Sequence, residues 1–433
     1  MKLNSYSLQK LGALLFIAYV FFYDLIEQVF GRDIALIMLS IAVVLCFAAI
    51  TVTNRRFGLS KDLLRSIAPW LILMFFFVIP RNQMLRQGNY WLTLKWVLSI
   101  IISFLIASKP GKYDSIFKTI IAIGMIHVLA TWLFYFIPSL YAGMYRLWGA
   151  WPTGTAHGAT VYKAGLTNHY SRNAIMIVTV AIMSASYLFS REKIEEPTYK
   201  KRINLIVFVI TVAALILTAK RASLLFGAIA IFVGYYIANP AKRSGRLFRT
   251  LCAVAVLAIA VEVLSNVIPA LGTALDRFTM IGEDTSSTNR MLMWGLALRL
   301  FSSHPIFGIG WGGFRYQYFS NLSLRRGGMF DYLDAHNVYL QMLAETGIVG
   351  TTIFLSAIIG TLVITLRLLK RKTELHRWEY TAVLYSLMYQ VFILFYCFTG
   401  NCIYDITFMH YAIAMAFAFG VNHRLQQESR NNQ

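Results

Sequence analysis

A chain of 433 residues that is 58% hydrophobic and only 14% charged, with a mean hydropathy of +0.60, lies outside the composition of a soluble domain. Its net charge of +21 is gathered in short segments between apolar runs, so it reads as membrane topology, with anionic lipids as the partner and no nucleic acid. The four cysteines show no zinc spacing with histidine, and neither a P-loop nor a dinucleotide fingerprint occurs, so no metal, cofactor or nucleotide chemistry is expected.

Apolar runs of roughly 17 to 23 residues match the length a helix needs to cross about 30 Å of hydrocarbon, and are too long and uniform for barrel strands. Twelve spans are predicted, at 11–30, 34–53, 65–80, 91–108, 115–137, 173–190, 203–219, 222–238, 250–270, 346–366, 378–398 and 405–422. The expected fold is an all-α polytopic membrane protein, one integral membrane domain over 1–433. The first span follows Lys2 and Lys10 with no small-residue cleavage pattern behind it, and reads as an uncleaved anchor.

Basic residues favour the cytoplasmic side of short loops. They gather in the connections holding Arg55 to Arg65, Lys109 and Lys112, Arg191 to Arg202, Lys242 to Arg249, and Arg367 to Arg377, which puts both termini in the cytoplasm. The outer side then carries loops 138–172 and 272–345 and short turns near 81–90, 219–222 and 399–405. Lys95, inside the fourth span, needs a carboxylate such as Asp24 or Glu27.

In the shorter outer loop, Asn168 to Asn173 stands immediately before the sixth span. Arg172 there would complete an arginine cluster, while Trp148, Trp151 and Tyr162 suit either sugar stacking or an ordinary interface belt. The next outer turn, Thr218 to Ser223, holds Lys220 and Arg221 side by side. Adjacent cations at a helix end face a polar cavity, pair with an anion, or snorkel; Arg221 has the planar fork that suits phosphate.

The long outer loop concentrates the polar chemistry. Ser287 to Asn289 reads as the cap of an amphipathic helix over 291–298, with Arg290 in its first turn, served by Glu283, Asp284 or an anionic ligand. His304 to Gly313 carries glycines at 308, 310, 312 and 313, suited to a tight turn or to cradling a ligand. From Asp334, a candidate cap, a helix is expected to run into the tenth span, with His336 and Tyr339 on one face. An imidazole there can take a proton from an attacking hydroxyl, or simply be a satisfied interfacial histidine. Glu262 and Glu345 are further acidic candidates, and Asp405 is an outer carboxylate able to orient His336 or pair with an arginine. Cys397 and Cys402 flank that last turn as the one pair placed for a disulfide; unpaired thiols are the simpler expectation.

Thr218 to Leu225, Arg290, and the run Asp334-Ala335-His336-Asn337-Val338-Tyr339-Leu340 continuing to Gly350 resemble the O-antigen ligase and polymerase superfamily over roughly residues 200–420. The resemblance implies a bundle similar to the C-type glycosyltransferases, with an active site in the periplasmic loop 272–345 and residence in the bacterial inner membrane. It implies that Arg221 and Arg290, with Arg172, hold the diphosphate of an undecaprenyl-linked glycan donor. His336 would act on the hydroxyl of a carrier-linked glycan or lipid A-core acceptor, with Lys220, Tyr339 and Asp405 in support. Transfer would be inverting and metal-independent. Within that resemblance the Thr399 to Asp405 turn favours a polymerase of O-antigen, capsule or exopolysaccharide repeats over a ligase. A transporter or flippase for lipid-linked sugars would have a similar number of spans, but no two-fold internal repeat is visible.

Overall fold

The computed structural model describes residues 5–53, 61–86, 88, 90–108, 113–141, 161–190, 198–238, 285–320, 334–404 and 407–431. Among them every regular element is helical, apart from a single bridge between Asn82 and Trp311. The helices are α1 (Ser5–Thr53), α2 (Lys61–Leu73), α3 (Gln83–Arg86), α4 (Trp91–Ser108), α5 (Tyr113–Phe136), α6 (Tyr170–Phe189) and α7 (Thr198–Leu217). They continue with α8 (Arg221–Ala238), α9 (Thr285–Ser303), α10 (Gly313–Ser320), α11 (Val338–Lys370), α12 (Arg377–Tyr396) and α13 (Thr407–Asn431). The expected segment 250–270 lies outside the described residues; helices occupy the other expected segments. Among the described residues six helices, α1, α4, α5, α6, α8 and α11, are long and apolar enough to cross a membrane, which makes this a multi-pass membrane protein.

At 49 residues, α1 would be about 74 Å long if straight, more than twice the hydrocarbon thickness. It is not straight. Gly31 adopts φ 82, ψ 167 and breaks it, and the two halves fold back on each other. A Cβ on Gly12 would come within 2.8 Å of the Ala42 carbonyl, and Cys46 Sγ lies 3.9 Å from the Gln9 carbonyl. Two antiparallel spans therefore stand where 11–30 and 34–53 are predicted.

The centre of the bundle is α6, buried continuously from Asn173 to Ser186 and packed against α5, α7, α8 and α12, while α13 packs against α4 and α12. The opposite situation holds at the periphery: Leu129, Leu133 and Phe136 of α5 and Ile203, Ile206 and Val209 of α7 are exposed. In a membrane bundle such apolar faces meet lipid, because hydrocarbon imposes no penalty on them.

α11 is interrupted in a way that builds the site. Gly347 takes φ 63, ψ −166, and the chain from Pro305 to Gly310 inserts against the break. Ile309 N donates to Ala344 O at 3.0 Å, Gly310 N to Glu345 O at 2.8 Å and Ile348 N to Pro305 O at 2.8 Å. A broken helix leaves backbone groups that need partners in a membrane protein, and this segment supplies them. On its far side it is held by residues 81–83, through Trp311 N to Arg81 O at 2.9 Å and Gln83 N to Trp311 O at 2.8 Å.

A Cβ on Gly347 would lie 2.3 Å from the Ile306 carbonyl, whereas one on Gly360 of the same helix meets nothing within 4 Å. Gly347→Ala is therefore expected to lower the unfolding temperature of the detergent-purified protein, by the strain of a left-handed alanine, about 1–2 kcal/mol, plus the clash. Gly360→Ala should leave it unchanged or raised, and equal behaviour of the two variants in scanning fluorimetry would refute this account of the break.

Candidate functional site

Glu345 ties the inserted segment to the helix. Its carboxylate is fully buried, and accepts from Gly312 N at 2.8 Å, Phe314 N at 3.1 Å, Gln341 Nε2 at 3.2 Å and the Tyr404 hydroxyl. A buried carboxylate is tolerated when its lone pairs are met by donors of this kind. Gln341 also donates to Asp334 Oδ1 at 3.1 Å and accepts from Ala335 N at 2.9 Å. Asp334 in turn grips Arg315 of α10 bidentately, with Nε to Oδ1 at 2.6 Å.

His336 sits at the centre of these supports. It has φ 53, a left-handed conformation uncommon for a residue with a Cβ and kept only where surrounding contacts enforce it. They do so on both sides. Trp294 Nε1 of α9 donates to Ala335 O at 3.0 Å, and Val338 N donates to Cys397 O at 2.8 Å. The helix begins only at Val338, capped by Asn337, whose side chain accepts from Leu340 N at 3.2 Å.

This corrects the expectation that Asp334 caps the helix: its oxygens are engaged by Arg315 and Gln341. It also separates His336 from Tyr339, because His336 precedes the helix instead of sharing its face. The Tyr339 hydroxyl donates to Leu394 O at 2.8 Å and the ring packs on Phe398. α9, too, begins earlier than expected: Thr285 to Asn289 are wound into helix, which moves Arg290 from the first turn to the second.

Burial pushes the His336 imidazole down to about 4; Asp334 opposes the shift, while Arg290 and Lys220 add to it. Lys220 and Arg290 thus act on His336 electrostatically from two different elements. Lys220 precedes α8 in a turn whose Ala219 is also left-handed, at φ 52, and its ammonium lies 5.5 Å from the Tyr170 ring centre. Arg221 is the first residue of α8 and partly buried. Arg172 is placed differently. It pairs with Asp24 of α1 and lines a cavity with Lys95, Arg315 and Asp334. Lys95 contacts the Tyr23 hydroxyl and lies 3.9 Å from Glu27, so Glu27 is the carboxylate beside it.

Asp405, Glu262, Glu283, Asp284, Trp148 and Trp151 lie outside the described residues, as do the side chain of Tyr162 and residues 142–160, 272–284 and 321–333 of the two longer loops. Cys397 and Cys402 are free thiols with their sulfurs 2.8 Å apart. Sequence reasoning left Glu345 unranked and missed Arg315, Gln341 and Trp294. The spacing of Gln341 and Glu345 at i and i+4 was the available signal, since that interval falls on one helical face.

Residues 206–355 match the family described as O-antigen ligase. The matched stretch runs from α7 into α11 and contains Lys220, Arg221, Arg290, Arg315, His336 and Glu345, while Lys95 and Arg172 precede it. No curated protein matches the chain.

Glu345→Gln keeps one acceptor oxygen but turns an amide toward backbone N–H donors. It is expected to destabilise the detergent-purified protein by on the order of 2 kcal/mol, the cost of a buried donor left unmet. Glu374→Gln, changed at an exposed pair with Arg371, should shift the unfolding temperature by less than a quarter as much. Equal shifts would show that the Glu345 clamp is not structural.

Proposed function

With residues 206–355 placing the chain in the O-antigen ligase and polymerase superfamily, we propose that this protein transfers an undecaprenyl-diphosphate-linked glycan at the periplasmic face of the bacterial inner membrane. In this reading the chain crosses twelve times with both termini inside, and it polymerises repeat units of O-antigen, capsule or exopolysaccharide. The observation that carries the reading is the placement of His336: half-buried, left-handed, clamped on both sides, and within the field of Lys220 and Arg290.

The chemistry is a single displacement. An acceptor hydroxyl attacks the anomeric carbon from the face opposite the diphosphate, its proton passes to the neutral His336 imidazole, and the anomeric C–O bond breaks toward the diphosphate, inverting the centre. The departing oxygens gain negative charge, which Arg221 and Arg290 stabilise through guanidinium donors, with Lys220 adding charge. These donors perform the role a metal ion has in other phosphate-leaving reactions. Tyr339 and Asp405 support the turn. Arg172 belongs to this donor set only at its edge, since Asp24 already engages it. Transfer to lipid A-core is the second reading, favoured by the ligase description of the matched family.

The test is purified protein with undecaprenyl-diphosphate repeat units, with and without lipid A-core, read as a product ladder. Carrier-linked chains growing without core identify a polymerase, and product formed only with core identifies a ligase. No product from folded protein rejects both and leaves transport of lipid-linked sugars.

His336→Ala should abolish transfer while membrane insertion is unaffected. Arg221→Lys should raise the donor KM on the order of tenfold, the equivalent of one charge-assisted hydrogen bond. An imidazole held neutral down to about 4 predicts turnover that stays level from neutral pH to about 5 and falls as acidification passes about 4, because only the neutral form accepts a proton. A decline centred near the ordinary histidine value of about 6.5 would remove His336 from the role of base.

A further inference from the structure

Beside the His336 segment lies a cavity of about 420 Å3, within the range of about 300–1,000 Å3 typical of small-molecule sites. Four ion pairs meet at its charged wall: Arg172 with Asp24, Arg315 with Asp334, and both Arg32 and Lys95 with Glu27. Asp24 is 2% exposed against 25% for Arg172, Asp334 is 5% against 22% for Arg315, and Glu27 is 20% against 68% for Arg32. In each arginine pair the carboxylate is the less exposed partner, whereas Glu27, at 20%, is more exposed than Lys95, at 10%. Asp24 and Asp334 are also engaged by other donors: Asn168 N donates to Asp24 at 3.1 Å, and Gln341 donates to Asp334 at 3.1 Å. Arg32, Lys95, Arg172 and Arg315 on the wall outnumber the lining acids Glu27 and Asp334, so the cavity carries an excess of cationic N–H donors.

Aromatic rings stand beside these charges, together with Leu92, Asn168, Asn401, Ile403 and Met409. Trp91, partly exposed at the start of α4, and Tyr404 line the cavity, with Trp96 stacked on Phe408 behind. A bare phosphate or diphosphate gains little from such a surface, whereas a pyranose ring packs its C–H face on indole and phenol rings. Cations beside aromatic faces suit a ring that bears an anion, because a guanidinium keeps further N–H donors besides those given to its own carboxylate.

Position supports the same ligand. Asp334 is two residues from His336, so their Cα atoms are at most about 7.6 Å apart. Tyr170, two residues before Arg172, lies beneath the Lys220 ammonium. The cavity thus adjoins the reacting centre and is distinct from the Arg221 and Arg290 end of it.

We propose that this cavity is a subsite for a carboxylate-bearing sugar of the glycan substrate, with Arg32, Lys95, Arg172 and Arg315 selecting the carboxylate and Trp91 and Tyr404 seating the ring. The assignment rests on the glycan-transfer reading above and names a sugar class for it. Uncharged sugars would bind the same place weakly, so the subsite sets which repeat units are accepted.

The experiment is ligand-observed saturation-transfer NMR on the full chain in detergent, with glucuronic acid, glucose and inorganic pyrophosphate as probes. Glucuronic acid should bind at least tenfold more tightly than glucose, and Lys95→Met and Arg32→Ala should each erase most of that preference. Arg32 is exposed enough that its variant tests the idea even where Lys95→Met fails to fold. His336→Ala should bind glucuronic acid as the wild type does. Equal binding of glucose and glucuronic acid, or no binding of either, overturns the subsite. So does displacement of glucuronic acid by pyrophosphate with loss in Arg221→Lys but not in Lys95→Met, which would make the cavity part of the diphosphate site. The two readings fail separately: transfer in the ladder assay without glucuronic acid binding sinks only the subsite, and binding without transfer sinks only the enzyme.

Discussion

A single buried carboxylate organises one end of this bundle. Glu345 accepts from two backbone amides of the glycine-rich segment, from Gln341 of its own helix and from Tyr404 beyond α12, so segments distant in sequence converge on one anion. Charge-assisted bonds of this kind contribute about 1.5–3 kcal/mol each when the partners are otherwise met. The larger consequence is geometric. With the segment fixed, Gly347 can leave the helix open, Arg315 can reach Asp334, and the Asp334 to Asn337 run is held from both ends with His336 in a conformation it would not choose alone.

The arrangement divides the cations of the site into two groups with different chemistry. Arg172, Arg315 and Arg32 are each paired with a carboxylate, which restrains their guanidinium groups and discharges part of their field. Lys220 and Arg290 instead act on His336 and lower the affinity of its imidazole for a proton. Fixed, partly neutralised donors favour recognition of a defined shape. Cations directed at a developing charge favour stabilising a leaving group, where preorganisation avoids rearrangement during the reaction. Both tasks belong to the glycan transfer proposed for this protein, which would hold a polar chain while releasing a diphosphate.

Much of this was legible in the sequence. The hydropathy runs located the helices, because a membrane leaves few other ways to satisfy a backbone, and Gly31-Arg32-Asp33 marked the fold-back inside α1. The Thr218 to Ser223 turn and the His336 run were legible as motifs, since cations and a histidine are conspicuous among apolar residues. The support structure was not. Helical periodicity carried α11 back to Asp334, yet Asn337 and a left-handed His336 start it later, because the pull of Gln341 and Arg315 on Asp334 is tertiary and local spacing does not record it. Arg172 was grouped with the phosphate ligands for its position before α6; its actual neighbour, Asp24, comes from a helix 148 residues earlier.

The break at Gly347 also bears on how the protein is made. The segment 305–310 precedes α11 in the chain, so it leaves the ribosome before the helix that will cover its amides exists. Until Ala344 to Val349 arrives, those amides have only water as a partner, and until the segment docks, the opened turn of α11 is a polar defect at the top of a crossing helix. Each half is therefore an incomplete product that only the other can finish. Insertion of α11 and closure of the outer site then become one assembly step, and a quality-control protease that recognises exposed backbone would find its target in any chain stalled between them.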